Sequence, residues 1–199
     1  MLEGSRAPRF ILASASPRRL DLLRRIGLEP DAVDPAYPDE TPRPGEAPRD
    51  LARRLARDKA RAVAGRHAGA VVLGADTVVA CGRRVLPKAE DAAAARRCLE
   101  MLSGRRHTVY GGLCVIGADG REHRRLVATR VRFKRLEEGE IARYIAGGEW
   151  RGKAGGYAIQ GRAAALVPWI NGSYSNVVGL PLCEAAALLA ACGVRGENP

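Results

Sequence analysis

Two hydrophobic periodicities alternate along this chain, and their order restricts the fold more than any other feature. Phe10-Ile11-Leu12-Ala13 is a short unbroken apolar run of the buried-strand kind. It passes through Ser14-Ala15-Ser16-Pro17-Arg18-Arg19 into Leu20, Leu22, Leu23 and Ile26 at helical spacing. Ser16 is a favoured N-cap, Pro17 is tolerated at the first helical position, and Gly27 is the stop. From Arg49 to Arg66, Leu51, Leu55, Lys59 and Val63 step by four beside Ala52, Ala56 and Ala62, which predicts a second helix. Ala70 to Gly74 then reads as a buried strand, with Val78 to Ala80 as another apolar run before Gly82. Val109 to Ile116 and Leu126 to Phe133 flank Asp119-Gly120, a hairpin signal. Further helices are predicted over 90–102, 137–146 and 182–192, and a second hairpin is expected from strands 165–170 and 174–178 around Asn171-Gly172. Residues 29–48 are rich in Pro and acid without a period and read as a loop. Strand–helix units mixed with hairpins specify an α/β fold with a mixed, twisted sheet flanked by helices. At 199 residues, with no internal repeat and no long linker, a single domain over 1–199 is expected.

The turn after the first strand carries chemistry. A helix N-terminus presents free backbone N–H groups and the positive end of its dipole, here with two hydroxyls and two guanidinium groups around it. Cations at that end are unfavourable unless something anionic sits there, so Ser14 to Arg19 is a candidate phosphate site. A solvated first turn is the plain alternative. Asp76 lies between two apolar runs with small neighbours, which is hard to explain as surface and makes it the leading catalytic candidate. Lys59 sits on or beside an inward-facing stripe, where a charge is costly unless paired. Asp39 and Glu40, in the Pro-rich loop, are either a solvated acidic pair or, opposite a phosphate site, metal ligands. Lys153-Ala154-Gly155-Gly156-Tyr157-Ala158-Ile159-Gln160-Gly161 is studded with glycine and lets backbone approach a ligand.

Composition narrows the partner class. The formal net charge is +11, spread along the chain, which points to a polyanionic partner such as a nucleotide, a nucleic acid or a membrane surface. Aromatics at 5% leave few stacking platforms for single strands, and the basic residues of the 126–134 strand are most simply a solvated face. The lysines are Lys59, Lys88, Lys134 and Lys153 against many arginines, so each surviving lysine is a candidate for a site that needs a compact point charge. Cys81, Cys98, Cys114, Cys183 and Cys192 are scattered without a Cys-x-x-Cys pair, which fits a reducing cytoplasm better than a disulfide or zinc framework. No apolar run is long enough for a bilayer and no signal-peptide-like segment opens the chain, so no membrane association is expected and a cytoplasmic location is.

Several segments together match one family. They are Ser14-Ala15-Ser16-Pro17-Arg18-Arg19 with Leu22-Leu23, Gly74-Ala75-Asp76-Thr77-Val78-Val79, and Leu102-Ser103-Gly104 with His107. Lys153 to Tyr157 with Gln160-Gly161, and Asn171-Gly172-Ser173-Tyr174 with Asn176 to Pro181, complete the set. Over nearly its whole length the sequence resembles the Maf family of nucleoside triphosphate pyrophosphatases, once described as septum-formation inhibitors. The resemblance implies a two-lobed α/β fold with a central cleft, of the Maf and ITPase type, and suggests a homodimer. It implies hydrolysis of a nucleoside triphosphate to monophosphate and pyrophosphate with a divalent metal, Mg²⁺ or Mn²⁺, as a nucleotide-pool housekeeping reaction.

Carried across, Ser14, Arg18, Arg19, Lys59 and Lys88 bind phosphate, Glu40 and Asp76 hold the metal, and Asp76 is the catalytic base. The family has a proline after the lysine matching Lys88, where this chain has Ala89. The positions separating a dTTP/UTP branch from a 7-methyl-GTP branch correspond to Arg18, Thr77 and Gln160, and this chain has the first branch's combination. A neutral Gln amide offers both donor and acceptor to the imide edge of uracil or thymine, whereas a carboxylate suits a cationic methylated guanine. The expected substrates are dTTP and UTP, with 5-modified uridine triphosphates as further candidates. The rivals are the 7-methyl-GTP activity of the sister branch and a non-catalytic nucleic-acid-binding or septum-associated regulator. Scattered basic residues and the lack of a recognition module make nucleic acid the weaker reading.

Overall fold

The computed structural model describes residues 8–196. Strand β1 (Phe10–Ala13), helix α1 (Pro17–Arg24), β2 (Ala32–Val33), α2 (Pro48–Ala64), β3 (Val71–Cys81), β4 (Arg84–Leu86) and α3 (Ala92–Leu102) come first. After them follow β5 (Arg106–Ile116), β6 (Glu122–Arg132), α4 (Glu138–Ala146), a 3-10 turn (Arg162–Leu166), β7 (Trp169–Asn171), α5 (Tyr174–Val178) and α6 (Leu182–Ala191). One seven-stranded sheet runs β2-β1-β3-β5-β6-β7, with β4 pairing β3. β1 is parallel to β2 and β3, as the helical crossovers require, and the remaining pairings are antiparallel. The expected α/β fold with a mixed sheet is what forms.

Alternation along β3 divides the molecule. Val71, Leu73, Ala75 and Val79 face the larger core with Leu22, Leu23, Leu99, Leu102 and Leu189. Val72 and Val78 face the other way, toward the smaller clusters built on α2. Glycine lets α2 lie directly on the strands. A Cβ at Gly74 would sit 2.3 Å from the Ala56 carbonyl oxygen, and one at Gly112 would sit 2.1 Å from that of Ala52.

The pairing pattern leaves one opening. β1 ends at the Ala13–Gly74 pair, and β4 joins β3 only at Val79–Leu86. On that side β3 has no strand neighbour from Ala75 to Val78, while its other edge is paired to β5 throughout. The chain leaving β1 and the chain leaving β4 both turn at this gap.

Two expectations are corrected. Val71 to Cys81 is one continuous strand and not two runs separated by Asp76. The second hairpin does not form: of the strand expected over 165–170, Trp169 and Ile170 lie in β7 and the stretch before them is a 3-10 turn, and Tyr174 to Val178 is helix. Ser173 decides the latter, because its hydroxyl accepts the Asn176 N–H as an N-cap and outweighs the strand preference of Val177-Val178.

Candidate active site

The gap in β3 is the floor of a cleft of about 310 Å³. Strand alternation points Asp76 to the α2 side and Thr77 to the α1 side. Because α2 rests on Gly74, Lys59 is brought onto the strand next to Asp76. Lys59 is 6% exposed, and its Nζ donates to Asp76 Oδ1 at 2.6 Å and to Glu40 Oε1 at 2.7 Å. Lys88, which follows β4, donates from Nζ to Glu40 Oε2 at 2.5 Å. Two carboxylates and two ammonium groups thus form one chain, Asp76–Lys59–Glu40–Lys88. Burial pushes the Glu40 carboxyl up, but hydrogen bonds from Lys59 and Lys88 outweigh it and hold the group below its usual range.

The turn after β1 forms the second wall. Ser14 is buried, and its Oγ accepts the Ser16 N–H at 3.2 Å. Ser16 occupies the N-cap position of α1 with extended backbone, but its own side chain makes no capping bond; Pro17 opens the helix as expected. Arg19 is turned inward: Nε donates to the Gly179 carbonyl (2.9 Å), one terminal nitrogen to Ser14 Oγ (2.9 Å) and the other to Thr77 Oγ1 (3.2 Å). Arg18 Nε donates to the Val178 carbonyl at 3.2 Å. Burial lowers the pKa of both guanidinium groups; Arg19 adds to the effect on Arg18, and Asp76 and Glu40 oppose it on Arg19. Gly179 has φ +147, a conformation that favours glycine, and so aims its carbonyl at both Arg19 and Thr77. The α5 segment carrying it is anchored by buried Asn176, which donates to the Val109 carbonyl and to Thr129 Oγ1.

The third wall is residues 152–160. Gly155 and Gly156 both have φ +69, and a Cβ on Gly155 would sit 2.9 Å from a Val79 methyl. Tyr144 Oη accepts the Ala158 N–H at 3.0 Å, and His107 Nε2 pairs with Tyr157 Oη at 2.8 Å. Burial lowers His107 to about 4. Behind this wall His107, Phe133 and Tyr157 pack as a cluster of tilted and edge-on rings. Gln160 is exposed on the cleft side of this wall.

The residues to which the family pattern gave roles, Ser14, Arg18, Arg19, Glu40, Lys59, Asp76, Thr77, Lys88 and Gln160, all line this cleft, whereas Asp39 accepts the Thr41 N–H and Lys134 pairs with Glu140 outside it. Among the further residues lining it are Lys153 and Tyr37. Lys153 is one of the few lysines that the composition marks as site candidates, without a role of its own. Tyr37 is 83% exposed and carried no periodic signal. Among the described residues, no three His, Cys, Asp or Glu side chains cluster so as to hold a metal. Mg²⁺, however, is usually bound through one or two carboxylates plus phosphates and water, and Glu40 with Asp76, which converge on the Lys59 ammonium, is a carboxylate pair of that kind.

Residues 9–192 match the family described as Maf-like protein. The chain belongs to the Maf-like family. Its relatives include a protein of Paramagnetospirillum magneticum named dTTP/UTP pyrophosphatase, 68% identical over 180 residues that make up 90% of this chain and 95% of the relative. A Rhodospirillum rubrum protein of the same name is 65% identical over 94% of this chain and 89% of its own length. One from Maricaulis maris, also so named, is 59% identical over 94% and 89%. In this Maf-like chain no helix among the described residues is long and apolar enough to cross a membrane.

Proposed function

We propose that this protein hydrolyses dTTP and UTP, and 5-modified uridine triphosphates, to the monophosphate and pyrophosphate. The observation that carries the reading is the Asp76–Lys59–Glu40–Lys88 chain at the unpaired edge of β3, facing the N-terminus of α1. The positive end of α1, the Arg18 guanidinium and the acid–base groups meet there at one opening, and relatives at 59–68% identity carry the matching name. The triphosphate lies between the start of α1 with Arg18 on one side and Lys59 and Lys88 on the other, where these cations offset its charge. A water attacks the α-phosphorus, Asp76 takes its proton, and the bond to the bridging oxygen breaks as pyrophosphate leaves. Arg19, expected from the family pattern to bind phosphate, has its guanidinium engaged by Ser14, Thr77 and Gly179 and acts here as the residue that positions them. A divalent Mg²⁺ or Mn²⁺ held by Glu40 and Asp76 supplies further charge neutralisation and acidifies water when bound. Gln160 selects the pyrimidine through its amide. A cytoplasmic housekeeping role and a homodimer belong to the same reading.

The test is pyrophosphate release from dTTP, UTP and 7-methyl-GTP with and without chelator. Expected are release from the two pyrimidines that stops with chelator, a loss of roughly 10²–10⁴-fold in Asp76→Asn, and a narrowed preference in Gln160→Glu. Orthophosphate release alone, or near-normal turnover in Asp76→Asn, would count against the reaction. Faster turnover of 7-methyl-GTP would overturn the substrate.

A further inference from the structure

α2 is the one helix among the described elements on its face of the sheet, and it covers only part of that face. Leu51 and Leu55 pack on Val78, against Tyr110 and Leu126, and there the cover ends. Beyond it three strands are open. Register places Arg106, Arg132 and Trp169 in one row across β5, β6 and β7, and Thr108, Arg130 and Asn171 in the next. Cross-strand partners share a face, so these side chains point together to the same side. Arg106, Arg130 and Arg132 are exposed, and Trp169 and Tyr110 are partly so.

The charge on this face is unbalanced. Arg106 stands directly opposite Arg132, with Arg130 two residues along. Like charges directly opposite are destabilising in an antiparallel pair. None of the three forms an ion pair among the described residues, whereas neighbouring Lys134 pairs with Glu140 and Arg124 with Glu122. The Arg106 guanidinium lies over the Trp169 ring, 5.1 Å from its centroid. Farther along β6 the groove beside α2 is charge-matched, with Arg53 paired to Asp50, Arg57 to Asp58 and Arg124 to Glu122, so the unpaired arginines are those of the open face. From Arg124 to Arg132 the strand spans about 27 Å at its normal rise.

We infer that this open, arginine-bearing face of β5, β6 and β7 binds a single strand of nucleic acid. Arg130 and Arg132, alternate residues on one strand, are about 7 Å apart, close to the repeat of phosphates on an extended polynucleotide. Trp169, in the row of Arg106 and Arg132, is a surface on which a base stacks, and arginine reinforces stacking. A second copy of the chain offering the same face would set arginine against arginine. The surface is separate from the catalytic cleft, which opens at the opposite edge of β3.

The test is fluorescence anisotropy of a labelled single-stranded oligonucleotide of about 15 residues with the full-length protein in EDTA, over a series of salt concentrations. The expected result is saturable binding, weakened at least tenfold in the triple variant Arg106→Glu, Arg130→Glu, Arg132→Glu. The slope of log affinity on log salt should fall by about 2, near 0.7 for each lost phosphate contact. The maximal rate with dTTP should stay unchanged in that variant, which also reports its folding. Should it not fold, the triple glutamine variant and photocross-linking of the wild type to a 4-thiouridine oligonucleotide decide, with cross-links expected on peptides of β5 to β7. An equal loss on reversing Arg25, Arg97 and Arg195 instead would reduce the effect to net charge and overturn the inference. Displacement of the oligonucleotide by pyrophosphate, cross-links confined to the cleft, or binding to phosphatidylserine vesicles but not to the oligonucleotide would each overturn it as well.

Discussion

Lys59 shows how much one side chain can fix. Its ammonium is buried between two carboxylates at 2.6 and 2.7 Å, and a charge so placed persists only because it is paired. A guanidinium is planar and wider and cannot occupy that position without moving α2 or β3. Lys59→Arg should therefore lower kcat/KM about tenfold or more, and Lys88→Arg should also be impaired, while Lys134→Arg stays within about 0.5 kcal/mol in stability and unchanged in rate. Lys134 meets Glu140 on the exterior, where either cation serves. Steady-state kinetics of the three variants check this, and full activity in the first two would show that the lysines are interchangeable with arginine. His107 gives a different single-residue signal. Burial lowers its pKa from an ordinary value near 6.5 to about 4. The unfolded chain takes up a proton below about pH 6.5 and the folded one does not until about pH 4, so stability drops as pH falls through that window, by on the order of 3 kcal/mol. Urea unfolding from pH 7 to pH 4 should show this extra slope in the wild type and not in His107→Gln; parallel curves would remove His107 as its source.

At the scale of elements, the site depends on how closely α2 approaches β3. Gly74→Ala places a methyl against the Ala56 carbonyl and the Ala60 amide, both backbone. Overpacking of this kind costs about 1–3 kcal/mol, and here relief requires the helix to lift, which carries Lys59 away from Asp76. The expected outcome is a lower urea midpoint together with a fall in kcat. Destabilisation with full activity would mean that the helix position does not set the site. The same closeness explains what could be read from the sequence. An inward-stepping stripe made Lys59 suspect, and an acid inside an apolar run made Asp76 suspect, because a misfit in a strong local pattern is visible without coordinates. The strand–helix order around Phe10 to Gly27 gave the parallel half of the sheet for the same reason. Residue chemistry could not separate Glu40 from Asp39 or from a solvated acidic pair, since its loop has no period and its partners, Lys59 and Lys88, are distant in sequence; the family pattern singled it out. Lys153 and Tyr37 reach the cleft through loop paths set by tertiary packing. Residues 174–178 were misread because two valines outvoted Ser173, whose cap is a single hydrogen bond but starts the helix.

For the whole molecule, the net charge of +11 has a kinetic consequence. Within the cleft Lys59 and Lys88 are matched by Asp76 and Glu40, so that chain of four side chains attracts a distant anion little. The pull on an incoming triphosphate comes instead from Arg18, Lys153 and the field of all the remaining basic residues. Such a field extends about 10 Å at 0.1 M salt and farther below it, and it raises encounter rates without changing the chemical step. Raising NaCl from about 20 to about 200 mM should therefore lower kcat/KM for dTTP several-fold while leaving kcat nearly constant. Salt that disrupted the Lys59 cluster would lower kcat itself, so the two parameters separate steering from damage to the site. Stopped-flow or steady-state measurement over that salt series decides between them. A kcat/KM independent of salt would show that encounter is not steered and that the basic surface serves other partners alone.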